Sequence, residues 1–426
     1  MKSSLEARFL FLLDLKTYAP TLGGHNRGVQ MHPARKLALN SPATRTLRVV
    51  FLNYHDFTSN SALHIFHLAN QLSERGLEIA VAVPGDAAGA FEIGSPRFTP
   101  LSYRETPEKV GRFSASGKPV LLHAWTPREN VRRMTEKLCR ANRVPYAVHL
   151  EDNEQAIRAA RASAKGWWLK GLIERRYLSH PRRSARFLRE AAGVSVLLDP
   201  LKEFVPAGVP STVIWPACEP DLFSDGSRDD VAREALGLTK DDFVIFYPGN
   251  ITHVNIEDVR SLYLAVDLLN RRNIPARLLR TGRVDEGRFV DRMSLPSRLY
   301  LELGFQPRSR IGELYRAADA LVQPGVPGPF NDYRFPAKLP EFLASGRPII
   351  LPDCNLGRHL RDEVNCRLLT SGTPEEIASI LETFYRDPAG ARRIGAAGQA
   401  FARENFDWGN SADKLIAFYE KILGDK

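Results

Sequence analysis

Residues 323–351 read QPGVPGPFNDYRFPAKLPEFLASGRPIIL, and the order of residue types in this stretch decides the fold. A β-rich run ends at Val322, and a Gly/Pro-rich loop follows it. After Pro336 an apolar-periodic helix is expected over 338–344; it stops at Gly346, and a new strand begins at Pro348. A loop feeding a helix N-terminus offers unpaired backbone N–H groups and the positive end of a dipole, which suits a diphosphate. Arg334 and Lys338 add formal positive charge beside that terminus. Glu341, one turn inside the helix from Lys338, has the acceptor oxygens to hold both hydroxyls of a ribose.

Outward from this stretch, short apolar runs alternate with amphipathic helices. Strands are expected at 47–53 (LRVVFLN), 78–83, 120–124, 146–150, 194–198 and 212–215. A helix at 61–74 places Leu63, Phe66, Leu68, Ala69 and Leu72 at helical spacing and is stopped by Gly76. The pattern breaks over 219–240, which is rich in Asp, Ser and Gly. It resumes with strands at 243–247, 276–279, 299–303 and 320–322, and with helices at 256–271 and 309–318. Strands alternating with helices imply parallel sheets covered on both faces. Two such α/β domains, with a linker near residue 225, would bind ligand at the carboxyl ends of their strands. The loops so marked are 54–60, 125–129, 149–154, 247–255, 282–285 and 323–338.

Composition narrows the class. With 426 residues, 43% hydrophobic and 25% charged, the chain is long enough for two globular cores and too apolar for a disordered protein. No apolar run approaches the roughly 18–20 residues of a membrane-spanning helix, and no secretory signal is expected at the N-terminus. Cys139, Cys218, Cys354 and Cys366 form no C-x-x-C pair and have no His at metal-ligand spacing; they read as small thiols in a reducing compartment, so a cytoplasmic protein is expected. No metal is expected. The net charge of +10 is local: from Gln155 to Arg189 there are ten Lys/Arg against one acid, a net +9. Trp167 and Trp168, flanked by Lys165 and Lys170, fit a helix lying on an anionic membrane surface; a solvated basic face with packed tryptophans is the alternative. Nucleic acid is not expected, because no recognised binding module accompanies the charge.

EFLASGRPII (341–350) resembles the C-terminal domain of the GT-B glycosyltransferases, especially the retaining family four. The usual motif there is two glutamates eight positions apart, followed by a helix and A-x-G-x-P. The resemblance implies that Glu341 holds a nucleotide ribose. The first glutamate's place falls at Tyr333, with Asp332 one residue off as the candidate replacement. VIFYPGNITHVN (244–255) resembles the strand and glycine loop that open the family's second domain. Where members often carry Arg and Lys, this chain has His253 and Asn255, so Arg334, Lys338, Arg280 and Arg283 become the candidates for phosphate charge. FARENFDWGNSADKLIAFYEKIL (401–423) resembles the final helix that crosses back to the first domain. VLLHAWTPRE (120–129) and PYAVHLEDNE (145–154) resemble acceptor-side segments, and the resemblance implies that His149 faces the reacting sugar.

The expected fold is therefore α/β, GT-B, with two doubly wound Rossmann-like domains facing across a cleft. Residues 1–45 are an extension, 46–222 the acceptor-side domain, 223–402 the nucleotide-sugar domain, and 403–426 the returning helix. The expected function is transfer of a sugar from a nucleotide diphosphate-sugar to an acceptor hydroxyl of a glycan or lipid-linked glycan, with retention and without metal. His149, Arg334 and Lys338 are the expected catalytic groups. Glu341, Asp332, Asn331, Gly249, Asn250, Arg283 and Leu339 would bind the donor. Ser59, Asn60 and Asp152 would face the acceptor. Asp152 and Glu154 also sit where a helix wants an N-cap and an acidic first turn. His123 and Cys218 read as core residues, and Arg280 and Arg283 as solvated ones. A nucleotide-sugar epimerase on the same fold, or a degenerate nucleotide-sugar-binding protein, are the alternative readings.

Overall fold

The computed structural model describes residues 47–162, 177–219, 228–252, 255–284, 295–328 and 331–424. The expectations for the N-terminal extension, Lys165, Trp167, Trp168, Lys170, His253 and the linker near residue 225 lie outside these. The chain divides into two compact units, 1–215 with 408–426, and 216–407. The divisions thus fall at 215/216 and 407/408, where the sequence reading has 222/223 and 402/403.

The first unit is built on seven parallel strands: β1 Arg48–Leu52, β2 Glu78–Val83, β3 Thr99–Ser102, β4 Val120–Trp125, β5 Tyr146–Leu150, β6 Gly193–Val196 and β7 Ser211–Val213. Their spatial order is β3-β2-β1-β4-β5-β6-β7, so the order reverses between β1 and β4. Every residue of β4 and β5 is buried, as in a sheet covered on both faces. Helix Asn60–Glu74 follows β1; Ser59 caps it by accepting from the Ala62 N–H at 3.2 Å.

The closing helix, Trp408–Gly424, packs on this same unit. Asp413 pairs with Arg75 at 2.5 Å, and Trp408 stacks on His67 with ring centroids 4.9 Å apart. Gly193 makes room for it, since a Cβ there would stand 2.6 Å from Phe418. The stretch 401–423 is therefore not one helix: Pro388–Asn405 ends in the second unit, and a new helix starts at Trp408.

The second unit has six parallel strands: β8 Phe243–Pro248, β9 Ala276–Thr281, β10 Tyr300–Glu302, β11 Ala320–Val322, β12 Ile349–Pro352 and β13 Arg367–Leu369, ordered β10-β9-β8-β11-β12-β13. The order reverses between β8 and β11. Val259, Leu262 and Val266 from helix Ile256–Arg271 join Ile377 and Leu381 from helix Pro374–Arg386 in one core with β8 and β9. Each such side chain contributes about 1.5–3 kcal/mol by leaving water. Asp230–Ala235 is helical inside the stretch read as a break. Asp229 caps it, and its Arg233, 1% exposed, donates to the carbonyls of Ala317 and Thr239.

Candidate functional site

The second unit gathers polar groups where its strand order reverses, which is where open α/β sheets bind ligands. The strand β8 ends in Tyr247 and Pro248, and Gly249 and Asn250 follow. Lys338 reaches back to this edge: its Nζ donates to the Pro248 carbonyl at 3.0 Å and lies 3.9 Å from the centre of the Tyr247 ring. Asn255 ties the turn together, donating to the Tyr247 hydroxyl at 3.1 Å and to the Asn250 carbonyl at 3.0 Å. Burial and the neighbouring charges of Arg334 and Arg280 hold the Lys338 pKa well below its ordinary value. Gly249 is close-packed here, because a Cβ would stand 2.7 Å from the Lys338 ammonium.

Arg280 is not a solvated residue, and it is not a phosphate ligand either. It is 1% exposed, and all five of its donors are engaged. Nε donates to Glu302 at 2.6 Å, and a terminal nitrogen also pairs with Glu302. The others go to the carbonyls of Gly249 (3.0 Å), Thr281 (3.1 Å) and Gly282 (3.3 Å). The guanidinium thus clamps the loops after β8 and β9 against each other. Gly282 has φ +99°, and its Cα approaches so closely that a Cβ would stand 2.6 Å from the Gly249 carbonyl carbon. Asn250 Oδ1 accepts from the Arg283 backbone N–H at 2.8 Å, so Arg283 enters the site through its main chain.

The helix expected to cradle a diphosphate is shorter and later than the periodicity suggests. It runs from Leu339 to Ala344, six residues, with Lys338 in the cap position. Pro340 has no N–H, and the Leu339 N–H already donates to the Pro336 carbonyl at 3.0 Å. Its N-terminus therefore has few donors to give an anion, and positive charge at this edge comes from side chains. Glu341, half-buried in the first turn, accepts from the Tyr315 hydroxyl at 2.9 Å.

Asn331 and Asp332 belong to a neighbouring turn. Asn331 donates to the Val326 carbonyl at 2.9 Å and accepts at its own carbonyl from Asn355 at 3.0 Å. Asp332 pairs with Arg358 at 3.2 Å. Arg334 links this turn to the Lys338 edge: its backbone N–H donates to the Asn331 carbonyl at 3.3 Å, and its charge acts on Lys338 and Tyr247.

In the first unit the sequence-selected residues fare differently. His149, on β5, is 1% exposed and stacks on Trp125 with centroids 3.9 Å apart; its Nδ1 lies 2.8 Å from Ser195 Oγ. Burial drives its pKa down to about 3, so the ring is neutral. Ser59 is fully buried and spent on the cap, on Asn53 and on the Asp56 carbonyl, which removes it from any acceptor contact. Asn60 is exposed at the first turn of its helix. Asp152 is not a cap: Asn153 accepts from the Gln155 and Ala156 N–H groups at 3.1 and 3.0 Å. Asp152 instead stands 3.9 Å from Arg128.

One functional candidate escaped the sequence reading. Glu151, 7% exposed, accepts from Trp125 Nε1 at 2.6 Å and from Ser61 Oγ, with His64 at 3.6 Å. Burial pushes its pKa up, but His64, His149 and Ser61 outweigh that and hold it at about 2. The signal was the strand alternation: Glu151 lies two residues from His149 and so shares its face.

Comparisons with known proteins fit this geometry. Residues 242–387 match the family described as Glycosyl transferases group 1. Solved structures superpose over nearly the whole chain. Anabaena HepE in complex with UDP-glucose gives a TM-score of 0.61 at 17% identity, covering 88% of this chain and 99% of that one. Sucrose-phosphate synthase from Thermosynechococcus elongatus gives 0.63 at 17% identity, covering 89% and 100%. The chain has the GT-B fold of these structures, and its residues 242–387 are similar to the glycosyl transferases group 1 family. A D-inositol 3-phosphate glycosyltransferase of Rhodococcus erythropolis is 28% identical over 220 residues, 49% of this chain and 48% of that protein. The chain spans about half the length of the curated relatives it matches.

Within the matched residues, the structure brings Gly249, Asn250, the Arg283 main chain and Lys338 to one edge. Glu341 and Leu339 lie in the turn that follows Lys338. Asn331 and Asp332 form a separate turn joined to them through Arg334. Among the described residues no helix is long and apolar enough to cross a membrane.

Proposed function

We propose that this protein transfers a sugar from a nucleoside diphosphate-sugar to an acceptor hydroxyl. The observation carrying the reading is the Lys338 ammonium, held against Tyr247 and the Pro248 carbonyl at the strand-order reversal of the unit that matches the group 1 family. A cation that has lost much of its water is poised to meet an anion. As the glycosidic bond breaks, positive charge develops on the sugar ring and negative charge on the departing β-phosphate. Lys338 and Arg334 stabilise that phosphate charge without reorganising, so no metal is needed for this step. Glu341 accepts from the ribose hydroxyls beside its bond to Tyr315. Retention at the anomeric carbon is part of the same proposal and is read out by the anomeric configuration of the product.

Glu341→Ala tests the donor assignment. Loss of one or two hydrogen bonds to a charged group, at about 1.5–3 kcal/mol each, weakens nucleoside diphosphate binding by at least about tenfold. Titration calorimetry against UDP and other nucleoside diphosphates reads this directly. Unchanged affinity and turnover in the variant would sink the assignment.

We also infer that the basic segment from Gln155 to Arg189 meets an anionic surface bearing the acceptor. Helix Pro181–Arg189 exposes Arg182, Arg183, Arg186 and Arg189 on one short span, with Arg186 offset by Glu190 at 2.7 Å. Sedimentation with phosphatidylglycerol vesicles is expected at low salt and to fade as the Debye length drops below about 8 Å. Equal binding to phosphatidylcholine vesicles would contradict it.

A further inference from the structure

A buried chain of four hydrogen-bonding side chains runs through the first unit, and the proposed chemistry does not by itself call for it. Tyr419 Oη lies 2.7 Å from His123 Nδ1, and His123 Nε2 lies 3.1 Å from Ser195 Oγ. Ser195 Oγ then lies 2.8 Å from His149 Nδ1. Tyr419, His123 and Ser195 are each 0% exposed and His149 is 1% exposed. At the far end, His149 Nε2 is buried with no hydrogen-bond partner among the described residues.

The protons in this chain can be counted. Burial keeps both imidazoles neutral and keeps Tyr419 a phenol. Each ring then has one N–H and each hydroxyl one O–H. Three links need three protons, and running them all one way leaves the fewest groups unpaired, because Ser195 accepting from both imidazoles would strand its own O–H and the His149 Nε2 lone pair. In one direction Tyr419 donates to His123 Nδ1, His123 Nε2–H donates to Ser195, and Ser195 donates to His149 Nδ1. This leaves a single unpaired group, the Nε2–H of His149. In the other direction the Tyr419 O–H and the His149 Nε2 lone pair are both left unpaired. A buried hydroxyl without an acceptor is costly, so the first direction prevails.

We propose that Tyr419, on the closing helix, is a positioning residue that fixes His149 as its Nε2–H tautomer, so that His149 offers a hydrogen-bond donor rather than a base. Trp125 and Glu151 hold the ring itself: Glu151 accepts from Trp125 Nε1, and Trp125 stacks on His149. The oxygen that meets this N–H belongs to the substrate on the glycosyl-transfer reading, whereas the tautomer is a property of the free protein and stands apart from it.

Long-range 1H–15N correlation on the free protein with 15N-labelled histidine reads the tautomer, with His149→Gln to assign the signals. The wild type is expected to show Nε2–H dominating by about tenfold or more. In Tyr419→Phe each direction leaves one donor and one acceptor unpaired, so the two tautomers approach equal populations. Ser195→Ala, which cuts the chain next to His149, gives the same loss of bias and serves if the phenylalanine variant does not fold. A wild-type Nδ1–H tautomer, or an Nε2–H preference unmoved in the folded variants, overturns the proposal. Failure to transfer sugar from any donor, with the tautomer bias intact, removes the proposed function and leaves this inference in place.

Discussion

Lys338→Met is expected to lower turnover by about two to three orders of magnitude while leaving the folded chain at least as stable as the wild type. The activity loss follows from removing a fixed cation beside the departing phosphate, a contribution of about 2.7–4 kcal/mol to the barrier in comparable anion-stabilising sites. The stability gain follows from the same side chain seen without ligand. Its ammonium has lost water, stands near Arg334 and Arg280, and has a pKa well below the ordinary lysine value. Methionine fills much of the same volume over Tyr247 and carries no charge to desolvate. The pH dependence has a definite sign. Between the lowered pKa and the ordinary one, the unfolded chain holds more protons at this position than the folded chain does. The contribution to stability therefore grows as pH rises through that window, and this slope disappears in the variant. Thermal melts across that pH range, set beside turnover with the active donor, separate the two effects. A variant that is both inactive and less stable at all pH values would argue against a strained cation and for a simple packing role.

The parts of this protein that could be read in advance are those where local pattern and tertiary role agree. Helix Ile256–Arg271 has apolar residues at helical spacing and the strand Phe243–Pro248 is an unbroken apolar run, and both lie in the core that the pattern predicts. The strands Thr99–Ser102 and Arg367–Leu369 were missed because four and three residues hold no period, and the first contains a proline. At the site the difficulty was one of partners. Glu151, Asp152 and Glu154 are indistinguishable as acids in sequence. Only the fold decides that Glu151 meets Trp125, Glu154 meets Arg128 at 3.0 Å, and Asp152 stands 3.9 Å from the same arginine.

The same limit applies to charge. Arg334, Lys338, Arg280 and Arg283 were interchangeable candidates for a phosphate, since a sequence shows cations and not what consumes them. Arg280 is consumed by Glu302 and three carbonyls, and Arg283 contributes a main-chain N–H. The helix N-terminus failed for a related reason. Pro336, which marks the helix start in sequence, occupies the Leu339 N–H through its carbonyl, and Pro340 in the first turn has no N–H to give.

Arg280→Met is expected to lower the stability of the second unit and its donor affinity together. It deletes five donors at once and leaves Glu302 facing the Tyr263 hydroxyl without its cation. Glu302 is exposed and takes up water once the cation is gone, so the cost comes mainly from the carbonyls left without a donor, about 1–3 kcal/mol. At about 2–4 °C per kcal/mol for a unit of this size, the midpoint of unfolding falls by roughly 2–12 °C. The carbonyls of Gly249, Thr281 and Gly282 also lose the group that draws the two loops together. Because Gly249 abuts the Lys338 ammonium, donor affinity should fall with stability. Arg280→Lys restores the charge but has one ammonium where five directed N–H groups are needed, so it rescues only part of the midpoint and little of the affinity. Differential scanning fluorimetry with and without nucleoside diphosphate measures both. A lysine variant that recovers the full midpoint and full affinity would show that charge alone, and not the five-bond clamp, holds the loops.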